Sequence, residues 1–141
     1  MGTSMATTPG TDAHHGWPPA ALILRAARNL ADETGSSRIA LQFLSDYLDM
    51  LPARLQRILR GLQASDVETS MDAILSLKIA SAMAGAFDVE ACCHGIEALI
   101  RREQFPTARE DALALTINTL CLIKRTPGLL AGAQDALVPK S

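Results

Sequence analysis

The stretch Ser70-Met71-Asp72-Ala73-Ile74-Leu75-Ser76-Leu77-Lys78-Ile79-Ala80-Ser81-Ala82-Met83-Ala84, closed by Gly85-Ala86, decides how this chain folds. It holds no proline and no internal glycine, and Ala, Leu, Ile and Met dominate it, so it reads as a helix. At 3.6 residues per turn, Ser70, Ile74, Leu77, Ser81 and Ala84 share one face, the expected core. Leu75, Ile79 and Ala82 lie nearly opposite, flanked by Met71 and Met83. Only Glu68, Asp72 and Ser76 interrupt this second face, with Lys78 at its edge. A bundle helix normally buries one stripe and wets the other. An apolar second stripe has two readings: another element, the N-terminal helix above all, covers it, or it is open and meets a partner.

Working outward, Ser65-Asp66-Val67-Glu68 reads as a capping box that starts this helix, and Gly85-Ala86 ends it. Upstream, Phe43, Tyr47, Leu51, Leu55, Ile58 and Leu62 keep helical phase across Pro52, which predicts one kinked helix. Before the Gly35-Ser36-Ser37 break, Ala20 to Ala31 forms a helix led in by Pro18-Pro19. Downstream, Asp88 caps a run whose Val89, Cys92, Cys93, Ile96 and Ile100 share a face, and Pro106 stops it. Thr107-Ala108-Arg109-Glu110 reads as a second capping box, opening a helix with Leu113, Ile117, Leu120 and Ile123 inward and closed by Pro127-Gly128. Short connections between such helices predict an all-α, antiparallel up-down four-helix bundle with an additional N-terminal helix. Residues 1–16 are rich in Gly, Thr, Ser and Ala and read as a disordered tail, leaving 17–141 as a single domain.

Hydrophobic residues make up 48% of the 141 residues and aromatics 4%, a composition suited to helices rather than sheets. A formal net charge of -2 speaks against general nucleic-acid binding, which needs a basic surface. No apolar stretch is long enough to span a bilayer and no signal peptide is visible. Cys92, Cys93 and Cys121 form neither a disulfide framework nor a zinc pattern, and they read as buried small hydrophobes in a reduced, cytoplasmic setting. His14-His15 lacks the further ligands that would close a metal site. No phosphate loop, nucleophile elbow or paired-histidine motif appears, so neither metal, cofactor nor enzymatic activity of its own is expected.

Leu75-Ser76-Leu77-Lys78-Ile79-Ala80-Ser81, then Gly85-Ala86, then Val89, Cys93 and Ile96-Glu97, resembles the histidine phosphotransfer (HPt) domain family. That family carries His-x-Leu-Lys-Gly-(Ser/Ala)-(Ser/Ala), a Gly-Ala turn, and a helix with a spaced Cys and a Leu-Glu pair. Phe43-Leu44, Tyr47-Leu48 and Leu51-Pro52 are similar to its first bundle helix, and the resemblance spans Ile39 to Leu122. It implies a protein of two-component phosphorelay signalling whose partner is a response-regulator receiver domain or a histidine kinase.

Two positions depart from the family. Leu75 stands where the phosphorylated histidine belongs, and a leucine has no nitrogen to attack a phosphoryl group. Ile79 stands where a glycine lets the partner approach. The resemblance therefore implies a degenerate member that docks through Met71, Leu75, Ile79 and Ala82, with Lys78 directed at the receiver's acidic pocket. An alternative of another class is a self-association or scaffold module, in which the same face makes a homodimer. His94 shares a face with Glu90, Glu97 and Arg101 and reads as a solvated histidine, the other role open to it being a displaced phosphoacceptor. Arg54, Arg57 and Arg60 read as a solvated row.

Overall fold

The computed structural model describes residues 19–138. The predicted tail, His14-His15 and the two ends of the predicted domain lie outside them. The described residues form five helices and no strand: α1 (Pro19–Thr34), α2 (Ser37–Gln63), α3 (Val67–Ala84), α4 (Phe87–Arg101) and α5 (Phe105–Leu137). Helices α2 to α5 pack in a ring, each against the next and α5 back against α2, which is the expected up-down bundle. Helix α1 leans on α2 and α5 and reaches α3 at its Gly85 end.

The core comes from one stripe per helix. Leu44, Tyr47, Leu51, Ile58 and Leu62 of α2 meet Ile74 and Leu77 of α3, Val89, Ile96 and Ile100 of α4, and Leu115 of α5. Each fully buried aliphatic side chain contributes about 1.5–3 kcal/mol of transfer free energy. Helix α2 is continuous across Pro52, as the unbroken phase of its stripe requires.

The helix ends differ from the sequence expectations in instructive ways. Ser65 does not cap α3. Its φ of 53° puts it in the left-handed region, and Asp66 takes the extended backbone of a cap. The Asp66 carboxylate accepts hydrogen bonds from the Thr69 amide (3.1 Å) and hydroxyl (2.9 Å), which hold its carboxyl below the usual range. Asp88 lies inside the first turn of α4, whose capping position is Ala86. Pro106 does not end α4. That helix stops at Arg101, the turn to α5 passes through Glu103 at φ 53°, and Pro106 sits in the first turn of α5, where its missing N–H costs nothing. Thr107 is likewise inside α5. Arg109, expected within a capping box, instead donates to the Leu62 carbonyl at the end of α2 (2.9 Å).

Two corrections concern α5 itself. Pro127-Gly128 does not close it: the helix continues to Leu137, burying Leu129 and Ala133. Its buried stripe is Ala108, Ala112, Leu115, Thr119 and Leu122, so Leu113, Ile117 and Leu120 point outward at 68%, 63% and 53% exposure. Only Ile123 of the expected set is half-buried. Cys121, expected to be buried, is exposed.

The turn between α3 and α4 needs its glycine twice over. Gly85 has φ 79°, and the amides of Gly85 and Ala86 close α3 on the carbonyls of Ala82 and Ser81. A Cβ on Gly85 would also lie 2.6 Å from the Leu22 carbonyl oxygen of α1.

Candidate docking face on helix 3

The inward face of α3 is as the sequence indicates: Ser70, Ile74, Leu77, Ser81 and Ala84 are all buried. The buried Tyr47 hydroxyl and Ser81 Oγ share a hydrogen bond of 2.7 Å, and burial pushes the Tyr47 pKa up to about 12.

On the opposite side, no helix among the described residues covers the second stripe. Ile79 is 60% and Met83 50% exposed, while Met71, Leu75 and Ala82 are half-buried. The reading in which α1 covers this face is therefore overturned, because α1 lies across α2 and α5 instead. Leu75 itself packs its side chain against the core cluster, as does Met71. The face is thus a shallow apolar strip with Ile79 as its most prominent residue.

Charged groups border the strip on both sides. Towards α2, Arg54 donates to the Ser76 carbonyl (3.2 Å) and hydroxyl (3.3 Å), and Arg57 pairs with Asp72 at 2.6 Å. The exposed Met50 extends the apolar surface beside Arg54. Towards α4, Lys78 pairs with Glu97 at 2.7 Å, and Arg101 pairs with the other oxygen of the same carboxylate. Chiefly through its hydrogen bond from Lys78, Glu97 is held below the usual carboxylate range.

Glu97 is the residue the sequence misplaced. Its place beside His94, opposite the core stripe, reads as a solvated face, yet it is buried and anchors two cations. Its i, i+4 spacing to Arg101 was the available signal. Lys78 is accordingly fixed by a partner within the chain rather than reaching freely outward. The arginine row is also more than a wetted face, since Arg54 and Arg57 tie α2 to α3.

His94 is exposed on α4, one turn before Glu97. Burial drives the Cys93 thiol up to about 12, so it is inert as a nucleophile. Cys92 is half-buried and accepts a hydrogen bond from the Asn118 side chain at 3.3 Å. Among the described residues no group of His, Cys, Asp and Glu could hold a metal ion, and no helix is long and apolar enough to cross a membrane.

Comparison with known proteins adds one match: residues 42–135 fit the family model of the Hpt domain. No curated protein and no solved structure matches the chain.

Proposed function

The chain belongs to the histidine phosphotransfer domain family, and from that premise we propose that it docks a response-regulator receiver domain through the outer face of α3 without taking phosphate at position 75. Members of the family carry phosphoryl groups in two-component signalling rather than act as enzymes. What carries the reading is Leu75 with Ile79 one turn on: the family's nucleophile and its clearance residue are both replaced by hydrocarbon. A leucine cannot form a phosphorus–nitrogen bond, so the position contributes contact and no chemistry.

The surroundings support docking. An open apolar strip of Met71, Leu75, Ile79, Ala82 and Met83 lies between basic groups on α2 and α4. On the α2 side Arg57 pairs with Asp72 while Arg54 is held by the Ser76 carbonyl and hydroxyl, and on the α4 side Lys78 and Arg101 share the Glu97 carboxylate. The excess positive charge suits the acidic pocket of a receiver, steering approach while the strip supplies burial. A histidine kinase is the other partner the family implies.

The test is an NMR titration of the labelled chain with receiver domains of its host, with and without a phosphoryl mimic. Shifts should cluster at Met71, Leu75, Lys78, Ile79 and Ala82. Ile79→Asp is the sharper variant because Ile79 is exposed, whereas Leu75→Asp also disturbs packing against the core. A folded Ile79→Asp chain should lose binding. Undiminished binding would sink the assignment, and acid-labile phosphate on His94 would return the chain to phosphotransfer.

A further inference from the structure

The outward face of α5 carries a second apolar stripe that the α3 reading leaves unused. Glu110, Leu113, Ile117, Leu120 and Lys124 recur at spacings of three and four residues, the seam of a helix that packs against another helix. The three central residues are the most exposed run of large hydrophobics on any one helix. Shallow furrows flank them: one beside α4, lined by Ala91, Cys92 and Gly95, the other beside α2, lined by Pro52, Leu55 and Leu59. A facing helix could set its ridges there.

We propose that this face binds a second copy of the chain, with the two α5 helices antiparallel about a two-fold axis at Ile117. The argument for that occupant is charge. Acids end the stripe on one side, Glu110 and Asp111, and bases end it on the other, Lys124 and Arg125. All four are exposed, and none makes an ion pair within the chain among the described residues. Ile117 lies midway, seven residues from both Glu110 and Lys124. Rotation about it brings Glu110 of one copy to Lys124 of the other, at both ends at once. The charged ends are about 21 Å apart along the helix, so a parallel pair would instead stack like on like. The face is thus complementary to itself in one orientation, as an isologous contact must be. The contact is independent of α3 docking.

Sedimentation velocity on the full chain over a concentration series should show a reversible monomer–dimer equilibrium. Ile117→Glu sets two carboxylates together on the axis and should give a monomer with an unchanged circular dichroism spectrum. The orientation is tested by charge exchange. Lys124→Glu/Arg125→Glu and Glu110→Lys/Asp111→Lys should each be monomeric alone and should associate when mixed. A wild-type chain that stays monomeric throughout overturns the proposal. So does a dimer that survives Ile117→Glu, or one lost in Ile79→Asp instead, which would place self-association on α3.

Discussion

At the scale of single residues, the chemistry turns on how polar groups are satisfied inside an aliphatic bundle. Tyr47 and Ser81 satisfy each other across the α2–α3 contact. Tyr47→Phe removes one partner and leaves a buried hydroxyl, so it should lower unfolding free energy by about 1–3 kcal/mol in urea titrations. The double variant Tyr47→Phe/Ser81→Ala should recover part of that loss, since both polar groups are then gone; equal loss in the two variants would deny the pairing. The sequence made the smaller half of this legible. Ser81 falls on the core stripe by phase alone, but nothing in a string of letters says that Tyr47 lies within reach. Glu97 shows the same limit more sharply. A glutamate beside His94 and Arg101 looks solvated until Lys78 arrives from another helix to compensate its burial.

At the scale of elements, α3 was legible on both faces because its two stripes are chemically distinct. The inner one mixes Ser and Ala with Ile and Leu, and the outer one carries Leu75, Ile79 and Met83. Helix α5 was read in the wrong phase for a physical reason. It too has two apolar stripes, and side-chain size alone points to Leu113, Ile117 and Leu120 as the core. The bundle instead buries Ala108, Ala112, Leu115, Thr119 and Leu122, a stripe whose small members allow close approach of neighbouring helices. Size marks a core only when the spacing between helices is already known. The α3–α4 turn gives a direct prediction. Gly85→Ala must adopt a left-handed φ and also meets the Leu22 carbonyl of α1, so it should cost more than about 1 kcal/mol. Thermal unfolding of that variant, compared with Gly95→Ala where no atom lies near, should show a lowered midpoint only for the former.

For the whole molecule, stability should fall in acid along a path set by two carboxylates. Asp66, hydrogen-bonded by Thr69, and Glu97, hydrogen-bonded by Lys78, are both held below their ordinary values of 3.8 and 4.5. Unfolding returns them to those values, so the unfolded chain binds more protons in that range. Their contribution is complete above the ordinary values and is lost as pH falls through the depressed ones. Chemical denaturation at a series of pH values should show Lys78→Met less stable than wild type near neutrality, with the gap closing in acid once Glu97 is protonated in both. A gap that persists unchanged at low pH would mean that Lys78 stabilises by covering apolar surface rather than by its charge.

The ring order of the bundle has one more consequence. Helices α3 and α5 each neighbour α2 and α4, so they stand diagonally across the bundle and their outer faces look in opposite directions. Two copies joined back to back on α5 would present two α3 faces pointing apart. A single dimeric receiver could not reach both, so it would gain no avidity from the pairing. Each receiver dimer would instead engage one face from each of two such pairs. The pair would then have a valence of two, one face at either end, and its natural product would be an extending chain of alternating partners rather than a closed complex.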